Sequence, residues 1–394
     1  MSIASAVTAR PERLWAALLA ATLLNLPFGS VYSFSVFLRP IELELAIPRS
    51  ALSLVFGMAT VGFAAGSVGA VYLFRVASAP VLIFASALLA AGGIAVAAMA
   101  TGMAQLLIGY GVAFGTGGGA AYILLQQGVN MLVRRRQGLV NGYIVSLYPL
   151  GAMIATPAFH WCNAAFGWRT TLAGLAVVLV VCGGVAGLLA RHGGARLIVA
   201  AGTARARPAK LGVTFFKLSA TFFLAACAGL MVLSQAREIV AAYGGAAALA
   251  VAATTGITGA IALARVSGGW LVDRFAVGRV MCGAHGLALC GGVLLTLFPS
   301  PVMAVIGLGM VGMGYGFISG STAGGIGIYW RPVDFGRIAG RTYIAWCLAA
   351  VSLPVLAGYL FDLTRGYEAA MMIATGANLA GMAMALTLPR QGWR

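Results

Sequence analysis

Apolar runs of about 20 residues recur along the whole chain, separated by short polar or Gly- and Pro-containing breaks. An α-helix rises about 1.5 Å per residue, so about 20 apolar residues match a hydrocarbon core about 30 Å thick. The pattern predicts twelve transmembrane helices, over 13–38, 50–73, 79–99, 102–131, 136–162, 168–190, 213–241, 246–272, 279–298, 302–330, 336–361 and 367–388. The first run follows Arg10 and Arg13, as in a cleaved leader, but continues through Phe37. A leader's apolar core is about 7–15 residues, so this run is read as the first span.

Composition sharpens the class. The 394 residues are 61% hydrophobic and only 8% charged. Soluble domains carry about 25% charged residues, so this chain cannot cover a water-facing surface but can cover a lipid-facing one. The 55 glycines fit the same picture, because small residues let helices approach closely in lipid. The net charge of +17 would suggest nucleic acid in a soluble protein. Its distribution argues otherwise. With the N-terminus placed in the cytoplasm, Arg39, Arg49, Arg169, Arg237 and Arg365 fall outside and Arg265 falls within a span. The other nineteen of the 25 Lys and Arg fall inside. Positive residues favour the cytoplasmic face, so both termini are expected there, in the cell inner (plasma) membrane. The partner that the charge serves is the lipid bilayer, and no nucleic acid is expected. The six cysteines lack paired metal spacing and read as packing residues. No metal and no cofactor is expected, and the chain is read as a monomer.

Residues 191–212 are long, basic and broken by Gly and Pro. They divide the chain into a six-helix bundle over 1–190, a cytoplasmic linker over 191–212 and a second six-helix bundle over 213–394. The halves repeat. Gly109, Gly111, Gly138 and Gly142 recur 198 residues later as Gly307, Gly309, Gly336 and Gly340. Pro157 and Pro354 lie 197 apart, and Gly167-Trp168 is echoed by Gly366-Tyr367. The fold class is therefore expected to be an all-α membrane protein of twelve transmembrane helices in two pseudo-symmetric six-helix bundles.

After the eighth span the chain reads Gly269-Trp270-Leu271-Val272-Asp273-Arg274-Phe275-Ala276-Val277-Gly278-Arg279. This resembles the G-x-x-x-D-R-x-G-R loop motif of the major facilitator superfamily, with one extra residue. The resemblance implies that Asp273 and Arg274 help lock one end of the helices, with Arg341 as a further gating residue. The first-half loop, Gly69 through Arg75, has Leu73 and Phe74 and lacks the acid. Within the superfamily the chain is similar to the monocarboxylate porters and the oxalate/formate antiporters. The similarity is carried by Gly29-Ser30-Val31-Tyr32-Ser33-Phe34-Ser35-Val36-Phe37 with Arg49-Ser50, by Gly340-Arg341-Thr342-Tyr343-Ile344-Ala345-Trp346 and by Ala357 through Thr364.

Arg265 is the leading candidate for substrate binding. It precedes Asp273 by eight residues, about 12 Å along a helix, which puts it near mid-membrane. Placing an arginine there costs at least about 2.5–3.5 kcal/mol. Of the eight acids, Glu12, Glu42, Glu44, Asp273, Asp334 and Glu368 fall at loops or helix ends, and Glu238 and Asp362 near outer ends. A guanidinium fork matches a carboxylate with two parallel charge-assisted bonds. Snorkelling or capping of backbone carbonyls is the competing reading. The resemblance agrees with the ligand role, since these families place a substrate-binding arginine on the eighth span. It also implies departures. Ile261 fills the place of the acid in the animal porters' D-x-x-x-R pattern. Trp346 fills the place of the oxalate porter's second cation, with Arg341 more than one turn away. One central cation favours a monoanion over a dicarboxylate.

Tyr32, Tyr122, Tyr148 and Tyr315 lie on the first, fourth, fifth and tenth spans, which line the cavity in the superfamily. Their hydroxyls can donate to a carboxylate, or their rings can simply pack. Tyr343 and Trp346 are expected as cavity wall. The Gly115–Gly119 run lacks a phosphate-loop lysine and reads as tight helix packing. His285 on the ninth span reads as hydrogen-bonded rather than proton-coupling. The leading function is secondary transport of a small monocarboxylate-type organic anion by alternating access. Efflux of amphipathic drugs is the alternative, and a membrane enzyme or receptor a more distant one. No Ser/His/Asp set or metal cluster stands out, so an enzyme is not expected.

Overall fold

The computed structural model of the protein describes residues 11–195, 197, 211–364 and 366–390. Most of the linker over 191–212 lies outside these residues, as do Arg10, Arg196, Arg205, Arg207, Lys210, Arg365 and Arg394.

Among the described residues, eleven helical segments are long and apolar enough to cross a membrane. One of them, Gln137–His192, has 56 residues, about 84 Å of helix and far more than a hydrocarbon core about 30 Å thick. It bends at Gly167, where φ is 81° and ψ 160°, a left-handed geometry that only glycine adopts freely. The segment is thus two spans, and the expected count of twelve stands. In chain order the spans centre on α1 (Pro11–Phe28), α2 (Arg49–Leu73), α3 (Ala79–Ala98), α4 (Gly115–Asn130), α5 (137–166), α6 (168–192), α7 (Val213–Ala242), α8 (Ala247–Val272), α9 (Val277–Leu297), α10 (Pro301–Tyr329), α11 (Phe335–Val351) and α12 (Glu368–Leu386).

Three spans are less regular than the apolar pattern predicts. The first passes from α1 through a 3-10 turn, Gly29–Ser33, into a second helix, Ser35–Leu45, with Pro27 and Pro40 removing donors from the ladder. The fourth contains a π-helical stretch, Leu107–Phe114, immediately before α4. The eleventh breaks at Ser352, two residues before Pro354, and resumes as Leu353–Thr364.

Contacts divide the chain into two compact units. One holds the described residues of Met1–Arg135, Phe159–Pro208 and Pro332–Gly340, and the other Arg136–Ala158, Ala209–Arg331 and Arg341–Arg394. In the first unit the glycine-rich start of α4 is gripped from three directions. A Cβ on Gly115 would press the Ala59 backbone of α2, one on Gly117 the Ser86 carbonyl of α3, and one on Gly118 the Phe28 ring of α1. The start of α6 is clasped polar-side. Trp168 Nε1 and Arg169 Nε, the latter at 2.8 Å, donate to the two oxygens of Glu44, and Arg169 Nη1 donates to the Ala98 carbonyl at 2.9 Å. Arg169 first and Trp168 second hold the Glu44 carboxyl below its ordinary range.

The 198-residue repeat reappears as matched packing. Gly93 and Gly109 bring α3 and the π-helical stretch together, while Gly291 and Gly307, each 198 residues on, bring α9 and α10 together. In the second unit, His285 on α9 meets Asn378 on α12 through a 3.0 Å hydrogen bond.

Candidate functional site

Arg265 is only 3% exposed, within α8. Its carbonyl lies between two glycines: a Cβ on Gly142 of α5, or on Gly320 of α10, would collide with it. The three backbones therefore converge at this residue, and no larger side chain fits between them. The side chain then reaches two acceptors. Nη1 donates to the Val145 carbonyl at 2.9 Å, and Nη2 donates to the Tyr315 hydroxyl at 3.1 Å. The first acceptor has a local cause. In an α-helix the Val145 carbonyl would accept from residue 149, which is Pro149 and has no N–H. Arg265 thus takes up an acceptor that the proline releases.

Tyr315, on α10, also accepts from Trp346 Nε1 at 3.1 Å, and its ring lies 5.2 Å from the Arg265 guanidinium carbon. With both acceptor positions of the phenol oxygen engaged, its proton is left to donate to a third group. Gly229 on α7 makes room for the ring, since a Cβ there would overlap it. Ile261, one turn from Arg265, is fully buried and packs against Gly312 of α10. The position of the acid in the animal porters is here a packing position.

The structure brings Arg265, Tyr315 and Trp346 into one hydrogen-bonded group within the second unit. Tyr148 belongs to the same unit, three residues beyond Val145 and 6% exposed. Tyr343 sets its ring edge-on to Phe222 at 6.2 Å, and Arg341 opens the same chain segment. Tyr32 and Tyr122 belong to the first unit. Tyr32 lies in the Gly29–Ser33 turn, and Tyr122 on α4 packs 5.6 Å from Phe63. The sequence reading missed Val145, Gly229 and Gly320, and took Gly142 only as part of the repeat. Pro149 inside a span was the available signal for Val145, because a proline always frees the carbonyl four residues earlier.

Asp273 and Arg274 stand at the end of α8 and do different things. The Asp273 carboxylate accepts from the backbone N–H groups of Gly138 and Leu139, each at 2.8 Å, and so caps the start of α5. Arg274 lies over the Trp270 ring at 4.1 Å. In the first unit the helix start at Gly336, 198 residues after Gly138, is capped as well. Gln127 Oε1 accepts from the Gly336 N–H at 2.7 Å while Nε2 donates to the carbonyls of Leu197 and Pro332. A neutral carboxamide on α4 takes this role, in the half whose loop carries Phe74 and no acid. Phe74 itself packs on Gly336.

Comparison with known proteins identifies the family. The model of the Major Facilitator Superfamily matches residues 18–329. The chain belongs to the major facilitator superfamily. Its relatives within that superfamily include monocarboxylate transporter 13 of Bos taurus, 26% identical over 387 residues, covering 92% of this chain and 86% of the relative. They also include the uncharacterized transporter YhjX of Escherichia coli (strain K12), 25% identical over 347 residues, covering 77% and 83%. Among solved structures, the proton:xylose symporter XylE superposes with a TM-score of 0.72 at 14% identity, over 96% of each chain. That likeness is one of fold. The expected resemblance and the expected all-helical membrane fold are both borne out, and this superfamily member is a multi-pass membrane protein among transporters.

Proposed function

We propose that this chain is a secondary transporter that moves a small monocarboxylate-type organic anion by alternating access, and that it is not an enzyme. The observation that carries the proposal is the Arg265 group: a buried guanidinium at mid-span, oriented by one carbonyl and one phenol. Its fork can meet a carboxylate through charge-assisted bonds, and the Tyr315 proton can join it. The relative named monocarboxylate transporter 13 supports the substrate class at 26% identity. Tyr32, Tyr122, Tyr148 and Tyr343 complete the proposed cavity, with Trp346 as wall. Asp273, Arg274 and Arg341 serve the gate. The transporting halves are 1–190 and 213–394, joined by a cytoplasmic linker, and the protein is a monomer in the inner (plasma) membrane.

Counterflow in proteoliposomes tests this reading, with radiolabelled lactate, pyruvate, formate and oxalate as substrates. Wild type is expected to exchange a monocarboxylate in preference to oxalate. Arg265→Ala is expected to fold and to lose exchange by at least about 100-fold, the loss of a charge-assisted bidentate pair. Strong exchange by that variant sinks the assignment of Arg265. If folded wild type moves none of the four, the carboxylate class falls, the superfamily assignment alone survives, and a ligand-induced thermal-shift screen is the next test.

A further inference from the structure

A groove on the surface of the second unit is lined by none of the residues of the Arg265 group. It is lined by Leu271 of α8, Phe275 of the following turn, Arg279, Gly283 and Leu287 of α9, and Phe317 of α10. Arg279, Gly283 and Leu287 recur every four residues and so share one face of α9, running about 12 Å along it. The floor is open at Gly283, where a Cβ would meet nothing within 4 Å. Along its length the lining is hydrocarbon, and Arg279 is its one charged group. Phe275 is 52% exposed and Trp270, beneath Arg274, 38% exposed. Aromatic and arginine side chains in this arrangement are those that sit at the headgroup level of a bilayer.

The charge at the mouth is one-sided. Between residues 239 and 333 the chain contains one acid, Asp273, and its carboxylate is engaged by the backbone of α5. Arg274 and Arg279 are both exposed. An occupant that fits must bring an acyl chain for the groove and a negative group for the arginines. A zwitterionic lipid satisfies the first requirement alone.

We propose that this groove binds one anionic glycerophospholipid, with an acyl chain along Gly283 and Leu287 and its phosphate at Arg279 and Arg274. Basic pockets between membrane helices hold anionic headgroups on the same principle. The site shares Arg274 with the proposed gate but no residue with the proposed cavity, and lipid binding is read without transport.

The test is native mass spectrometry of the purified full-length protein in detergent. It is titrated with dioleoyl phosphatidylglycerol or, separately, with dioleoyl phosphatidylcholine. Wild type is expected to hold one phosphatidylglycerol about 25-fold more tightly than phosphatidylcholine, about fivefold for each arginine. The double variant Arg274→Gln, Arg279→Gln should lose that preference, whereas Arg75→Gln, remote in the chain, should keep it. Gly283→Leu fills the open floor and should weaken phosphatidylglycerol at an unchanged melting temperature. Glycerol 3-phosphate should fail to compete. Equal binding of the two lipids overturns the proposal, as does a preference that survives the double variant or undiminished binding by Gly283→Leu. Displacement by glycerol 3-phosphate overturns it too, because the site would then recognise phosphate without the groove.

Discussion

Tyr315 joins three parts of the candidate site. It receives one donor from α8 and one from the Trp346 indole, and its space is set by Gly229. Tyr315→Phe keeps the ring and removes the acceptor, leaving two buried donors without it. Hydrogen bonds to a charged group contribute about 1.5–3 kcal/mol, so the apparent affinity for a transported monocarboxylate should fall about tenfold or more. Counterflow at varied substrate concentration reads this out. An unchanged KM would remove Tyr315 from the site. The sequence could nominate Arg265 because a cation in an apolar span is conspicuous. It grouped Tyr315 with Tyr32, Tyr122 and Tyr148 but could not single it out, because a phenol's role depends on what faces it.

At the scale of helices, α8 is held by small residues of its neighbours. Gly138 of α5 approaches Gly269 of α8, and Gly142 and Gly320 close on the Arg265 backbone. Such contacts replace the hydrophobic force that lipid cannot supply between helices. Gly142→Ala places a methyl against the Arg265 carbonyl and forces α5 and α8 apart. Overpacking of this kind destabilises by about 1–3 kcal/mol, which a detergent melting curve should report as a lowered Tm. Gly309→Ala, with nothing within 4 Å, should leave the Tm unchanged. The two helix starts that the repeat relates are capped by different chemistry, Asp273 for one and Gln127 for the other. The acid was legible through its loop motif. The glutamine was not, because its partners are 70 to 209 residues away in the chain.

For the whole molecule, the repeat joins symmetric packing to asymmetric chemistry. Ser67 stands 198 residues before Arg265, and Gly340 approaches the Ser67 carbonyl as Gly142 approaches that of Arg265. The scaffold is thus doubled, but the repeat pairs a buried arginine in one half with a serine in the other. The charge distribution carries a separate prediction about topology. A green fluorescent protein fused to the C-terminus is expected to fluoresce, and alkaline phosphatase fused after Tyr243 to be active. The opposite pair of results would invert the proposed orientation.

The sequence alone determined the class of fold, the number of spans, the repeat and the arginine within an apolar span. These follow from local quantities: apolar run length, the spacing of glycines, and the expense of a charge in hydrocarbon. Only the tertiary structure decided which groups meet that cation, that Pro149 frees the carbonyl it binds, and which side chain caps each repeated helix start. Those outcomes depend on contacts between residues far apart in the chain, and no local pattern of apolar and polar positions encodes them.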